Sequence, residues 1–303
     1  ILNTVNSVRQ STKKALKRST ALRLNEMLRH GTTTVEIKSG YGLTNDAEVM
    51  MLEGIRELAD EELMSIHSTF LGAHAVPPEF KGRASAYVDL LIDTVLPYVA
   101  RRRLAEFCDV FCEPGYFGLD ESERLLLSAK QHGLKLKVHA DEIRPSGGAE
   151  LAAKLGAVSA DHLEQISDRG IEALAESGTV AGLLPGVSMF LAHGYAPARR
   201  MIDAGVVVAI ASDFNPGSCM SYSMPMMMTL ACTQMRMTPE EAITASTLNA
   251  AAALGCSDDR GSIEAGKRAD IILASIPDYR HLAYHFGVNH ISTVVKSGTI
   301  LEL

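Results

Sequence analysis

The residues with the clearest chemical potential lie in Lys135-Leu-Lys-Val-His-Ala-Asp-Glu142. The segment alternates polar and apolar residues, the period of a strand, and ends in a histidine followed by two carboxylates. A neutral imidazole at His139 can ligate a metal ion, and Glu142, three residues on, can handle the proton of a water activated by that ion. Metal-assisted hydrolysis needs both parts. A strand ending in a solvated polar turn would carry the same letters, so the remaining chain has to decide between them.

Several other residues could join this chemistry. Asp213 ends the apolar run Val206–Asp213, where a carboxylate is costly unless it is paired or on a metal, so it reads as a second ligand. His162 follows Asp161, which could orient its imidazole or simply satisfy it. His74 sits among small residues in Gly-Ala-His-Ala-Val-Pro, which leaves its ring open to a pocket. Glu113 suits a site role or a structural one. The loop Asn215-Pro-Gly-Ser218 offers an amide, backbone N–H groups and a hydroxyl to a substrate's polar groups, or is a plain turn. His281 and His285 lack the glutamate of a metalloprotease helix and read as structural. The cluster Met224-Pro-Met-Met-Met228 reads as core filler.

The elements that must position these residues alternate along the chain. Strands are expected at 32–38, 63–71, 107–113, 134–139, 158–162, 179–184 and 206–213. Helices are expected at 19–30, capped by Ser19 or Thr20, and near 45–59, 84–103, 120–132, 146–155, 168–177 and 194–204. Such alternation with short connections predicts parallel strands and right-handed crossovers. About seven strand–helix units are present where a closed (β/α)8 barrel has eight, and the expectation is a TIM-type barrel whose first strand is missing. A doubly wound sheet should show Gly-x-Gly-x-x-Gly after its first strand, and none occurs. Tyr41, His74, Glu113, His139, Glu142, His162 and Asp213 all fall at or just past strand ends, which in a barrel converge on one mouth. A helix follows over 239–254, with Thr238 as cap and Pro239 at its first position. The expected division is a barrel over residues 1–260 and the remnant of a small β domain, of sandwich type, over 261–303.

Composition sets outer bounds. The 303 residues are 47% hydrophobic, enough for a large core, and carry a net charge of −7, which argues against nucleic acid or an anionic membrane as partner. No apolar run is long enough to span a bilayer. Cys108, Cys112, Cys219, Cys232 and Cys256 are scattered, which reads as reduced thiols in a cytoplasmic protein. Lys13, Lys14, Lys17 and Arg18 read as a solvated helix face. The opening Ile1-Leu-Asn-Thr-Val reads as the middle of something, with material expected before it.

Taken together, these residues resemble the amidohydrolase superfamily, and more narrowly the imidazolonepropionases, the imidazolone-ring hydrolases of histidine degradation. The blocks that carry the resemblance are Thr33–Leu43, Phe70–His74, Val138–Glu142, Ser159–Leu163 and Ser212–Ser218, spread along nearly the whole chain. The resemblance implies one zinc or iron ion, with His139 and Asp213 as matching ligands; the family's His-x-His has no counterpart here. It implies that 4-imidazolone-5-propanoate is hydrolysed to N-formimidoyl-L-glutamate, with Glu142 as proton carrier and His162 and Asp213 assisting. It further implies that His74 meets the developing oxyanion, that Tyr41, Asn215, Gly217 and Ser218 bind the ring and its propanoate, and that the protein is a homodimer. Two rivals remain: a cytosine- or guanine-type deaminase of the same superfamily, and an inactive scaffold lacking the His-x-His.

Overall fold

In the computed structural model, which describes residues 1–302, one sheet has seven strands paired in the order of the chain. They are β1 (Thr34–Lys38), β2 (Ser65–Ala73), β3 (Phe107–Cys112), β4 (Lys135–Ala140), β5 (Ser159–His162), β6 (Val180–Leu183) and β7 (Val208–Ile210). Every neighbouring pair is parallel. Sequential order with helical crossovers is barrel connectivity, since a doubly wound sheet reverses its strand order. The sheet is rolled: Lys38 on β1 donates to Asp109 on β3 at 2.8 Å and to Asp161 on β5 at 3.3 Å. In a flat sheet β1 and β5 would stand about 19 Å apart, beyond the reach of any such contact. The expected α/β class of TIM type is therefore the observed one.

The helices depart from expectation where local chemistry dictates. The first long helix runs Lys13–Arg29 and is capped by Thr12, whose hydroxyl accepts from Ala15 N–H, rather than by Ser19 or Thr20. Lys13 and Lys17 on it are not merely solvated: they reach Glu53, Glu57 and Glu61 on helix Asn45–Glu61. A shorter helix, Leu2–Arg9, carried no sequence signal. The helix expected over 84–103 is interrupted by a π turn at Leu91–Val95, beside Pro97, which has no N–H to give to the preceding turn. The segment 194–204 is helical only over Ala198–Asp203, after Pro197. The segment 239–254 breaks at Thr247 into Pro239–Ser246 and Leu248–Ala253, the former opened by the capping box of Thr238 and Glu241. Met227 and Met228 are buried in helix Met224–Gln234, as core filler should be.

A second sheet is antiparallel, with β8 (Ile271–Ala274), β9 (Ile291–Lys296) and β10 (Thr299–Leu301) in the order β10-β9-β8. It docks through Val294, buried with Leu24, Met27, Leu28 and Met64, and through Lys296, which donates to Ser65 Oγ at 2.9 Å. No helix among the described residues is long and apolar enough to cross a membrane.

Candidate active site

Strands β1, β3, β4 and β5 bring charged side chains to the inside of the rolled sheet. Lys38 Nζ donates to Glu36 at 2.8 Å as well as to Asp109 and Asp161. Lys137 Nζ lies 3.2 Å from Glu36 Oε2 and donates to Ser159 Oγ at 3.0 Å, and Ser159 in turn donates to Asp161 at 2.8 Å. Thr69 donates to Glu36 from β2. Burial works against every charge here, but the partners outweigh it. Lys38 stays protonated far above its ordinary range because Asp109, Glu36 and Asp161 surround it, and Asp109 is held well below the carboxylate range by His139 and Lys38. The packing leaves no slack: a Cβ on Gly182 of β6 would stand 2.4 Å from Asp161 Oδ1. Gly182→Ala is therefore expected to cost about 1–3 kcal/mol of folding stability, measurable as a lower urea midpoint.

His139 stands at the top of this charged layer. Its Nδ1 lies 3.0 Å from Asp109 Oδ2, in a bent approach that is a charge contact more than a straight hydrogen bond. Burial lowers its basicity, yet Asp109 raises it to about 9. Asp109, His139 and Asp161 offer ligand atoms within 4.8 Å of one another, but Lys38 already supplies the cation between the two carboxylates. A metal therefore fits better on the other side of the imidazole, toward the mouth.

The mouth gathers the residues singled out from strand ends. The His139 ring lies 5.0 Å from His162 and 6.1 Å from His74, and Tyr41 stands edge-on to His74 at 5.0 Å. Glu142 Oε2 is 3.6 Å from His162 Nε2. Burial pushes Glu142 up to about 7, with Asp213 and Glu113 adding and His139 opposing. Asp213 is pushed up to about 6, again by burial, with His139 and Lys38 opposing. Burial also raises the Tyr41 phenol, helped by Asp213 and Glu142, so it remains a donor. These mutual influences put Tyr41, Glu142, His139 and Asp213 in one electrostatic neighbourhood. Among the described residues neither Glu142 nor Asp213 pairs with a lysine or arginine. His139 and Asp213, an imidazole whose Nε2 faces away from Asp109 and a carboxylate without a cationic partner, are donors of the type that suits a divalent ion, with Glu142 beside them. The backbone is strained here too: Asp141, His162, Leu163 and Asp213 all have positive φ, at 50°, 80°, 69° and 45°.

Each catalytic candidate has its own support. Asp141 accepts from Gly147 and Ala149 N–H, both at 3.0 Å, anchoring helix Gly148–Leu155 beside Glu142. Glu113 Oε1 accepts from Glu142 N–H at 2.7 Å and Ile143 N–H at 3.1 Å, which resolves its role as a holder of the Glu142 loop. Glu113→Ala is expected to lower kcat by up to about 10²-fold through misplacement of Glu142, whereas Glu113→Gln, which keeps an acceptor oxygen, retains most activity; steady-state kinetics separates the two. His74 Nδ1 lies 3.0 Å from Gly40 O. A carbonyl only accepts, so Nδ1 carries the proton; burial and His139 lower His74 to about 4, leaving Nε2 as an acceptor at neutral pH.

The loop after β7 differs from its expected use. Asn215 Oδ1 accepts from Gly217 N–H at 2.8 Å and Ser218 N–H at 3.0 Å, while Nδ2 donates to Asp213 Oδ2 at 3.1 Å and Ser218 Oγ at 2.7 Å. The N–H groups anticipated for substrate are thus occupied within the loop, and Asn215 steadies Asp213. Sequence reasoning also passed over Lys38 and Asp109, and gave Asp161 to its neighbour His162, whereas its carboxylate accepts from Lys38 and Ser159. Their signal was charged residues inside parallel strands, where apolar runs are the rule: Glu36 and Lys38 two apart on β1, and Asp109 alone among apolar residues on β3. Glu164 was missed as well: burial raises it to about 8, and its Oε2 lies 3.9 Å from His162 Nδ1.

Comparison with known proteins agrees with this arrangement. The profile described as "Amidohydrolase family" matches residues 2–301. An imidazolonepropionase of Parabacteroides distasonis is 55% identical over 300 residues, covering 99% of this chain and 72% of its own length. One of Porphyromonas gingivalis is 51% identical, covering 99% and 71%. Among solved structures, a zinc-bound adenosine deaminase of Xanthomonas campestris aligns with TM-score 0.73 at 21% identity, over 97% of this chain and 72% of that one. A triazine hydrolase variant aligns at 0.78 and 17%, over 96% and 72%; at such identities the likeness speaks for the fold alone. On the sequence relationships and the rolled parallel sheet together, the chain belongs to the amidohydrolase family, among the imidazolonepropionases.

Proposed function

We propose that this chain hydrolyses the cyclic amide of 4-imidazolone-5-propanoate to N-formimidoyl-L-glutamate, a step of histidine degradation, with one zinc or iron ion. The observation that carries the reading is Glu142, a carboxyl shifted toward neutrality, standing 3.6 Å from a neutral His162 beside His139 and Asp213. The substrate comes from relatives at about half identity over the whole chain.

His139 Nε2 and Asp213 would hold the ion, which when bound acidifies water and polarises the ring carbonyl. Glu142 takes a proton from the attacking water and returns it to the ring nitrogen as the C–N bond breaks. His162, kept neutral by burial and by His139, stands within reach of Glu142 and shares the proton handling. Tyr41 donates its phenol proton to the substrate. His74 accepts a ring N–H at Nε2; donation to an oxyanion, the role its resemblance implies, would require protonating a group that resists it. Ser218 has its own hydroxyl proton left for the propanoate.

The test is consumption of imidazolone propanoate by the purified chain, with elemental analysis for zinc and iron. Imidazole and carboxylate ligands accept either metal, so composition alone does not choose. Ammonia released from a nucleobase, with no imidazolone consumed, would favour the deaminase reading. A chain that neither takes up metal nor turns over substrate would favour the scaffold.

A further inference from the structure

We infer that Asp109, braced by Lys38, is the positioning residue of His139: it fixes the tautomer with the proton on Nδ1 and so presents Nε2 to the metal. This rests on the reading of His139 as a metal ligand, but concerns residues that no resemblance assigned.

The argument begins with immobility. Asp109 is wholly buried on β3, and both its oxygens are engaged. Oδ1 accepts from Val110 N–H at 2.7 Å, while Oδ2 receives Lys38 at 2.8 Å and lies 3.0 Å from His139 Nδ1. The carboxylate therefore cannot swing away. Lys38 is fixed in turn by Glu36 and Asp161, so the brace spans β1, β3 and β5 across the interior. A second ingredient is charge. Glu36, Asp109 and Asp161 face Lys38 and Lys137, leaving one negative charge in excess behind the imidazole. An anion behind Nδ1–H makes Nε2 a stronger donor, the device that carboxylates behind metal-bound histidines supply. The register supplies the third. Phe111 pairs with His139 across β3 and β4, so Asp109 lies one inward position deeper than the ring and approaches it from below, opposite the mouth.

The test is zinc affinity of the purified full chain, measured by competition with a chromophoric chelator. Asp109→Asn is expected to weaken zinc binding about 10–100-fold. Ser159→Ala, which alters the same buried layer without touching His139, is expected to leave affinity unchanged. Equal affinity of wild type and Asp109→Asn would overturn the inference, as would an equal loss in Ser159→Ala. A wild type that binds no more zinc than His139→Ala would overturn the metal reading itself, and this inference with it. Should Asp109→Asn fail to fold, 15N-histidine NMR of the zinc-loaded wild type decides: a protonated Nδ1 with zinc on Nε2 supports the brace, and zinc on Nδ1 sinks it.

Discussion

Glu142→Gln is expected to lower turnover of imidazolone propanoate by about 10²–10⁴-fold while zinc or iron content stays at the wild-type level. Glutamine keeps the shape of the side chain and can still meet His162, but it cannot take a proton. The wild-type pH profile provides an independent check. Glu142 works as a base only when ionised, and burial lifts its carboxyl to about 7 in the metal-free protein. Activity should therefore rise as pH rises through this group. A cation held beside Glu142 favours the ionised form, so in the loaded enzyme the midpoint falls at about 7 or lower. Stopped assays across pH 5 to 9, with Glu142→Gln alongside, read both effects. A variant with near wild-type kcat, or an unchanged acid limb in its residual activity, would remove Glu142 from the proposed role.

The second large effect concerns stability. Lys38→Met removes the ammonium that Glu36, Asp109 and Asp161 share and replaces it with a side chain of similar length. Asp109 is fully enclosed and the Asp161 carboxylate nearly so, at 0% and 12% side-chain exposure. Breaking a buried charge cluster from one side leaves uncompensated carboxylates and costs about 3–5 kcal/mol, far more than the net worth of the pairs themselves. Urea unfolding monitored by circular dichroism should show a midpoint moved sharply down. By contrast, Lys17→Ala, which breaks surface pairs with Glu57 and Glu61, should lower stability by less than about 1 kcal/mol and shift the midpoint little. If the two variants unfold alike, the interior layer is better solvated than its packing implies.

Local signals were strong where a residue's role depends on its neighbours in the chain. Thr238, Pro239 and Glu241 wrote a helix start, and the structure builds the capping box there. The strand–helix alternation was legible because each strand is short, bounded and followed by an amphipathic stretch. Helix ends were less so. The interruptions at Leu91–Val95 and Thr247 follow from where prolines and packing fall in three dimensions. The Asn215 loop misled for a related reason: its letters advertise donors and acceptors, but folding lets them satisfy one another.

The candidate site divides along the same line. By itself the sequence determined the barrel class and the cast of the mouth, Tyr41, His74, His139, Glu142, His162 and Asp213, since strand ends in a sequentially ordered parallel sheet must converge. Only the tertiary structure decided how each one is placed and protonated. Asp109 and Asp161 lie 71 and 123 residues from Lys38 in the chain, and only curling the sheet brings both within 3.3 Å of its ammonium. The tautomer of His74, the raised carboxyl of Glu142 and the orientation of His139 all depend on burial and on partners from other strands. Those are properties of a closed space, which a linear order of residues does not contain.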